Sequence, residues 1–419
     1  MPNDQIFAGI DIGSCAVRIV VGQRLPVGDK ESVHILGAAE TPSEGVSRGT
    51  VTSIEDAVST VSACLERVER MTGVPVSSAL VAIPGTHVTS LVSKGVVAVS
   101  RPDGEIREDD VVRAVEAAQN IATPVNFEII HVIPKTFTVD SQPGVKDPVG
   151  MTGIRLEVDA QIVQGLTAHI KNLTKCVYRT GVNIDDLVLG ILAAAEVVVT
   201  PRQKELGVAV VNIGGSTTSV VVFEQGDILH LATLPIGADH ITSDIAIGLR
   251  TSIDIAEKVK LNCGRALSKD LSKREEINLK EMGADSDEMV SLKYVANIIQ
   301  SRIEEILEKV DGELKKIDRS GMLPAGVVIT GGGAKIAGLT DLAKQKLRLP
   351  VSLGYPIGVT SITDKVTDLG YTTAIGLMQW AMRESEDTPA RRKGLWSKAN
   401  KPVEKVTEQL KKWFGAMVH

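Results

Sequence analysis

Aromatic residues are scarce in this chain: Phe, Trp and Tyr together make up 3% of its 419 residues, whereas 43% of the residues are hydrophobic. A chain of this length can bury two or more hydrophobic cores. Because large rings are so few, we expect aliphatic side chains to fill those cores.

Long apolar runs are also missing. The longest stretches without Asp, Glu, Lys or Arg are residues 71–93 and 206–223. The first contains Pro75 and Pro84 and the second contains a glycine turn, so neither predicts a helix that crosses a bilayer. No secretory signal is evident near the start of the chain. We therefore expect the protein to act on the cytoplasmic side of the membrane.

Cysteine and histidine are few and scattered. The four Cys and seven His residues form no C-x-x-C pair and no spacing typical of metal ligands. This pattern predicts reduced thiols in a cytosolic chain. Cys15 lies inside a glycine turn, but no His lies nearby in sequence to activate it, which disfavours a catalytic thiol.

The most informative pattern is a turn that occurs twice. Residues 11–14 read Asp-Ile-Gly-Ser, residues 212–215 read Asn-Ile-Gly-Gly, and β-branched residues flank both. Such flanks predict two strand-turn-strand hairpins. Glycine permits positive φ and lets backbone N–H groups approach a ligand closely, so these turns can wrap phosphate oxygens. One copy alone is most simply a structural turn, but the pair predicts a nucleotide held between two similar lobes.

A third glycine turn supports this interpretation. Val327–Thr330 has the composition of a buried strand, Gly331, Gly332 and Gly333 follow it, and a helix start is predicted at Ala334–Ile336. Free N–H groups at a helix N-terminus favour the phosphates or sugar of a nucleotide. The glycine spacing differs from that of a Rossmann or Walker A loop.

The basic charge is concentrated at the end of the chain. Residues 391–419 contain eight Lys or Arg residues and two Glu, although the whole chain has a net charge of −6. Residues 402–419 predict an amphipathic helix whose apolar face carries Val403, Val406, Leu410, Trp413, Phe414 and Met417. Aromatic residues opposite a basic face are typical of a helix in an anionic membrane interface. A helix docked on the protein's own core is the alternative. A single such helix binds weakly, so several tails should act together.

Strand and helix patterns alternate between these landmarks. Residues from about 85 to 164 predict a β-α-β-β insert. Farther along, Ile241–Asn262 and Leu292–Ile317 predict charged amphipathic helices, and the charged segment Leu271–Glu288 between them is predicted to be exposed. These helices predict a helical subdomain.

Together these features resemble the FtsA family of bacterial cell-division proteins, actin-like members of the superfamily that includes Hsp70 chaperones and sugar kinases. The resemblance covers the whole chain and is most specific from Leu234–Gly237 through Ile241–Ala246 to Ala256–Lys260. It implies an actin-like two-lobed α/β fold of duplicated ribonuclease H-like domains. The implied divisions are 1–84 with 165–200 for the first lobe, 85–164 for the insert, 201–240 with 325–383 for the second lobe, 241–324 for the helical subdomain, 384–401 for a linker and 402–419 for a membrane-targeting helix.

The resemblance also implies a site for ATP and Mg²⁺. Asp11 would orient magnesium-bound water, Arg18 would face the β- and γ-phosphates, and Glu257 with Lys260 would contact the nucleoside. At i and i+3 on one helix face, this pair is equally consistent with a plain surface ion pair. The remaining implied nucleotide contacts are Gly13, Ser14 and Cys15 in the first turn, Asn212, Gly214, Gly215, Ser216 and Thr217 in the second, and Gly331, Gly332 and Gly333 in the third.

One residue departs from the superfamily pattern. The second turn usually opens with Asp, and here it opens with Asn212. An amide carries no negative charge for magnesium and cannot act as a base. Glu196 resembles the residue that helps to position attacking water. We predict that ATP is bound but hydrolysed slowly or not at all, and serves as a conformational or polymerisation ligand.

The function implied by the resemblance is that of a cytoskeletal tether. Filaments formed head to tail through the insert would lie on the cytoplasmic face of the membrane at the division site, peripherally attached, and recruit downstream division proteins. Arg302, with Lys293 as the weaker candidate, would bind the C-terminal peptide of the tubulin-like protein FtsZ. Plain solvated charges are the alternative for both.

Two other functions remain open from the sequence. A type IV pilus assembly scaffold has the same fold, as do an ATPase and a small-molecule kinase. Nothing favours nucleic acid, because the basic charge is confined to a helix whose other face is apolar.

Overall fold

A computed structural model of the chain describes residues 6–27, 30–120, 123–272, 274–285, 287–361 and 367–386. The predicted membrane-targeting helix lies outside these ranges, and so do its apolar residues Val403, Val406, Leu410, Trp413, Phe414 and Met417. Within the ranges, no helix combines the length and the apolar composition needed to cross a bilayer.

Strands and helices alternate along most of the described chain. The strands are β1 (Ile6–Ile12), β2 (Ala16–Val27), β3 (Lys30–Pro42), β4 (Val46–Ser47), β5 (Thr50–Val51), β6 (Ser78–Ile83), β7 (Val88–Ala98), β8 (Phe127–Val139), β9 (Gln142–Val145), β10 (Arg155–Leu166), β11 (Asn183–Leu189), β12 (Val208–Ile213), β13 (Thr218–Glu224), β14 (Asp227–Leu234), β15 (Glu276–Asn278), β16 (Met289–Ser291), β17 (Val327–Thr330), β18 (Val351–Leu353) and β19 (Val359–Ser361). The α-helices are α1 (Ile54–Thr72), α2 (Glu108–Gln119), α3 (Thr167–Arg179), α4 (Gly190–Val198), α5 (Pro201–Leu206), α6 (Ala238–Leu249), α7 (Ile253–Cys263), α8 (Leu292–Lys316), α9 (Leu339–Leu347) and α10 (Thr372–Glu386).

One compact unit comprises the described residues of 1–86 and 173–379 and contains two sheets of similar design. Their strand orders are β11-β6-β1-β2-β3-β19 and β14-β13-β12-β17-β18. In the first sheet, β1 pairs antiparallel with β2 and parallel with β6. In the second, β12 pairs antiparallel with β13 and parallel with β17. The two repeated turns therefore join equivalent hairpins.

Burial explains why the β-branched flanks form these strands. Ile10 and Ile19 pair across the first hairpin and Val211 and Val220 across the second, and each is at most 1% exposed. The buried members of the core around the second sheet are all Ala, Val, Ile or Leu. Aliphatic packing, expected from the lack of aromatics, thus holds for this core.

A second compact unit comprises residues 87–172 together with the described residues from Trp380 onward. Its elements follow the order β7, α2, β8, β9 and β10, which is the predicted β-α-β-β order with one short additional strand. The sheet order is β7-β10-β8-β9, and α2 packs on it. Asp110 in the first turn of α2 accepts a hydrogen bond from the Arg107 N–H at 2.9 Å, which stabilises the start of that helix.

The prediction of one helix over Ile241–Asn262 is wrong. The segment forms α6 and α7, because Arg250 adopts a left-handed conformation with φ of 52° and ends the first helix. Ser252 then caps the second helix by accepting a hydrogen bond from the Ile255 N–H. The resulting bend turns α7 back toward α6, so that Glu257 and Lys260 meet Thr242.

The expectation of an exposed segment at Leu271–Glu288 is also wrong in part. Leu271 and Leu279 are 6% and 1% exposed, and β15 pairs with β16 next to them. Charged residues lie on the outside of this segment, while Leu279 belongs to the core cluster that also contains the buried residues of α8.

Candidate nucleotide site

The two hairpin turns, the third glycine turn and α7 line a single cavity of about 800 Å³ within the first unit. Every residue that the resemblance assigned to the nucleotide contributes to its wall. These residues are Asp11, Gly13, Ser14, Cys15, Arg18, Asn212, Gly214, Gly215, Ser216, Thr217, Glu257, Lys260, Gly331, Gly332 and Gly333. The first and last of them, Asp11 and Gly333, lie 322 positions apart in the sequence, so only the fold brings them together.

The two hairpin turns have the same backbone geometry. The Gly13 N–H donates to the Ala16 carbonyl at 3.1 Å, and the Gly214 N–H donates to the Thr217 carbonyl at 2.9 Å. Neither glycine adopts the positive φ that glycine permits. Close packing is the reason for glycine here: a Cβ would lie 2.9 Å from the Ala16 oxygen or 3.0 Å from the Thr217 oxygen.

Gly215 shows the closest approach between the turns. A Cβ at this position would lie 2.0 Å from Cys15 Sγ and 2.8 Å from an oxygen of Asp239. Any larger residue would therefore push the first turn away from the second. This glycine brings the hairpins within direct contact of each other.

Asp239, which the sequence reasoning passed over, connects both turns. Its carboxylate accepts a hydrogen bond from Cys15 Sγ at 2.9 Å and another from Ser216 Oγ at 2.8 Å. Its own N–H donates to the Gly215 carbonyl at 2.8 Å. The signal that could have revealed it is an acidic residue in the first turn of a helix that directly follows Gly237.

The thiol of Cys15 donates a hydrogen bond to Asp239, and its environment disfavours the thiolate. Desolvation in the cleft and the neighbouring Asp239 carboxylate raise the pKa of Cys15 to about 12. The thiolate, which is the reactive form, is therefore rare at neutral pH. This agrees with the sequence argument against a catalytic cysteine.

Asp11 and Arg18 lie on neighbouring strands of the first hairpin. Burial raises the pKa of Asp11 to about 6, and the positive charge of Arg18 opposes this rise. Arg18 Nε donates to a carboxylate oxygen of Glu40 at 2.6 Å, and its guanidinium lies 5.7 Å from the ring centre of Tyr371. Arg18 is thus held in place before any ligand arrives.

Glu257 and Lys260 form an ion pair at 2.6 Å, but Lys260 is not on the surface. Its side chain is 8% exposed, and Nζ donates to Thr242 Oγ1 at 2.7 Å. Thr242 in turn donates to Glu257 at 2.5 Å. The plain surface ion pair considered from the sequence is therefore wrong for Lys260, because α6 covers it.

The third turn brings bare backbone to the end of β12. Gly331 has a φ of 89°, which favours glycine, and a Cβ there would lie 2.2 Å from Asn212 Oδ1. The following residues Gly332–Lys335 form a short 3-10 helix, and α9 begins only at Leu339. Gly332 differs from its neighbour, because a Cβ there would meet no atom within 4 Å. Its backbone thus faces open space in the cavity wall.

Three of the predicted functional residues lie elsewhere. Glu196 is absent from the cavity wall and forms an ion pair with Lys204 at 2.7 Å. Arg302 is held by Asp244 at 2.6 Å and by Glu305, so it is not a free solvated cation. The Nζ of Lys293 donates to the Leu271 carbonyl at 3.3 Å.

The chemistry of this cavity fits a magnesium-bound nucleotide. Two backbone turns offer N–H groups, Ser14, Ser216 and Thr217 offer hydroxyls, and Asp11 offers a carboxylate for a divalent cation. The open space beside Gly332 leaves room for a ligand against bare backbone.

Comparison with family models gives two matches. The model described as "Cell division protein FtsA" matches residues 209–376, and the model described as "SHS2 domain inserted in FTSA" matches residues 85–164.

Solved structures show similarity of fold. The chain superposes on a structure titled "PilM-PilN type IV pilus biogenesis complex" with a TM-score of 0.65 and 15% identity, covering 89% of this chain and 98% of that one. It superposes on MreB5 of Spiroplasma citri bound to ADP with a TM-score of 0.55 and 13% identity, covering 92% and 100%. At these identities the likeness shows the fold alone, and it confirms the predicted actin-like α/β architecture.

Similarity in sequence extends over nearly the whole chain. Cell division protein FtsA of Pseudomonas aeruginosa is 35% identical over 412 residues, which cover 98% of each chain. The protein of the same name from Bacillus subtilis is 36% identical, covering 92% of this chain and 85% of the relative, and that from Escherichia coli K12 is 32% identical, covering 90% of each. With these identities and this coverage, the chain belongs to the FtsA family of cell division proteins.

Proposed function

We propose that this chain binds ATP with Mg²⁺, polymerises on the cytoplasmic face of the cell membrane and tethers the FtsZ division ring to it. The observation that carries the nucleotide part is the meeting of three glycine turns on one cavity. Family membership supports the role in division, and the likeness to MreB5 bound to ADP supports the nucleotide.

Different residues of the cavity would bind different parts of the nucleotide. Backbone N–H groups of the first and second turns would hold phosphates, and Asp11 would orient the water around the cation. Arg18 would add positive charge at the phosphate end, and Glu257 with Lys260 would contact the nucleoside. The cation itself would neutralise phosphate charge.

Slow or absent hydrolysis follows from the same residues. Asn212 donates from Nδ2 to Thr373 Oγ1 at 3.2 Å, and an amide is not a base. Glu196 pairs with Lys204 outside the cavity wall, which leaves it without a path to attacking water from this position. The nucleotide would then act as a ligand that favours one conformation.

Filament formation would complete the tether. The insert at residues 85–164 would make head-to-tail contacts, and aligned filaments would present many terminal helices to anionic lipid at once. The helical subdomain at 241–324 would bind the C-terminal peptide of FtsZ, and other division proteins would join the assembly.

Flotation with anionic vesicles tests this proposal. The full chain should float, and float better with ATP and Mg²⁺, whereas a chain ending at Glu386 should not. Trp413→Glu, on the predicted apolar face, should abolish flotation, and Trp396→Glu, in the predicted linker, is the matched control that should preserve it. If all variants remain in the soluble fraction under every condition, the tether is wrong.

The pilus scaffold is the less favoured function. Its support is the likeness to PilM at 15% identity, whereas sequence identities of 32–36% connect the chain to division proteins.

A further inference from the structure

The Asp239 carboxylate lies at the contact between the two hairpin turns. It accepts hydrogen bonds from Cys15 in the first turn and Ser216 in the second, and it lines the same cavity as both. Phosphates held by these two turns, as proposed above, would lie close to a negative charge that belongs to neither turn.

None of the basic residues in the cavity wall forms an ion pair with this carboxylate. The wall contains five acidic residues and four basic ones. Three of the basic residues are already paired at 2.6 Å: Arg18 with Glu40, Lys260 with Glu257, and Lys335 with Asp368. Among the residues that the structure describes, no Lys or Arg forms an ion pair with Asp239.

We propose that Asp239 makes this cleft selective for nucleotide that carries a divalent cation and against the free nucleotide anion. This inference rests on the proposed nucleotide binding and extends it. Without a cation, the polyphosphate and the Asp239 carboxylate repel each other across a partly desolvated cleft. A bound divalent cation would neutralise part of the phosphate charge and so reduce this repulsion, and binding of nucleotide would then depend on the cation.

Neutral substitutions at this position test the inference. Asp239→Asn keeps the size and one acceptor oxygen but removes the charge, and Asp239→Ala is a second neutral variant should the first fail to fold. Asp254→Asn is the matched control, since Asp254 is an exposed acidic residue in the first turn of the neighbouring helix α7 and is absent from the cavity wall.

Binding of a fluorescent ATP analogue to the full chain would be measured by titration in MgCl₂ and in EDTA. The readout is the dissociation constant measured in EDTA divided by the dissociation constant measured in MgCl₂. Removal of one facing charge should lower this ratio about tenfold, chiefly through tighter binding in EDTA. Circular dichroism and thermal unfolding would verify that each variant is folded.

Three outcomes are distinguishable. A lowered ratio in the neutral Asp239 variants but not in Asp254→Asn supports the inference. A ratio within twofold of that of the unmodified chain in every variant overturns it and leaves the proposed nucleotide site intact. If the unmodified chain binds the analogue in neither solution, the nucleotide site is wrong and this inference with it.

Discussion

Arg302 on α8 donates from Nε and Nη2 to the two carboxylate oxygens of Asp244 on α6, at 2.6 and 2.8 Å. This bidentate ion pair connects two helices whose residues lie 58 positions apart. The hydrogen bonds to Asp244 also keep the pKa of Arg302 above its ordinary value. Arg302, the residue predicted to bind the C-terminal peptide of FtsZ, is thus already engaged in an ion pair within the chain.

This occupancy predicts competition between Asp244 and a peptide carboxylate for Arg302. We expect Asp244→Asn to bind the C-terminal peptide of FtsZ several-fold more tightly, because the guanidinium then lacks its strongest partner. Arg302→Lys should weaken binding, since Lys cannot form the two parallel hydrogen bonds that a guanidinium makes with a carboxylate. Fluorescence anisotropy of a labelled peptide measures both. Equal affinities for the unmodified chain and Asp244→Asn would indicate that Arg302 acts only between the helices.

Substitutions at Gly332 and Gly215 should have opposite effects on stability. Gly332→Val should leave the unfolding temperature nearly unchanged, because a Cβ at this position meets no atom, yet it should weaken nucleotide binding by filling the cavity. Gly215→Ala should destabilise the protein by roughly 1–3 kcal/mol, because its Cβ would lie 2.0 Å from Cys15 Sγ. Calorimetry and nucleotide titration of both variants test this contrast. Loss of stability in Gly332→Val would contradict it.

The raised pKa of Asp11 predicts a specific dependence of stability on pH. In the folded state Asp11 releases its proton with a pKa of about 6, whereas in the unfolded state it does so near its ordinary pKa of 3.8. The contribution of the proton to stability is therefore present below pH 3.8 and is lost as pH rises through 6. Asp11→Asn should raise the free energy of unfolding at pH 7.5 by roughly 1–3 kcal/mol.

Denaturant unfolding of the Asp11→Asn chain at several pH values measures this effect. Between pH 4 and pH 6 the difference in free energy of unfolding between the variant and the unmodified chain should increase. A constant difference would mean that Asp11 has an ordinary pKa. The same variant should lose affinity for nucleotide with Mg²⁺, since the carboxylate is the proposed partner of the hydrated cation.

Glu196 is predicted to affect stability rather than the cleft. Burial lowers the pKa of Lys204 to about 8, and Glu196 is its partner at 2.7 Å. Glu196→Gln should cost roughly 1–3 kcal/mol of stability, because it weakens the pairing of a desolvated ammonium group. Nucleotide affinity and any ATP turnover should stay unchanged. If Glu196→Gln lowers ATP turnover without lowering stability, Glu196 takes part in hydrolysis.

Much of the local structure could be predicted from the sequence. The strands on both sides of each turn follow from β-branched flanks, since pairing between adjacent strands of a hairpin involves residues close in sequence. The start of α8 at Leu292 was likewise predicted from helical periodicity. The break at Arg250 was missed because apolar periodicity continues through it, although Ser252 is a typical N-cap.

The residues of the glycine turns could be predicted from the sequence, because each turn is a local pattern. The residues that connect one turn to another could not. Gly13 and Gly214 were found because each lies in a recognisable local pattern. Asp239 was missed because its importance comes from contact with Cys15, which lies 224 positions away.

The sequence by itself determined that the chain contains two similar glycine-turn hairpins, a third glycine turn and aliphatic cores, because these depend on local composition and periodicity. The tertiary structure alone decided which charges face the cavity and which are neutralised elsewhere. It paired Arg302 with Asp244 and Glu196 with Lys204, and it brought Asp239 between the two turns. Such contacts depend on strand order and helix packing across long separations in sequence, and electrostatic effects change steeply with the distances that packing sets.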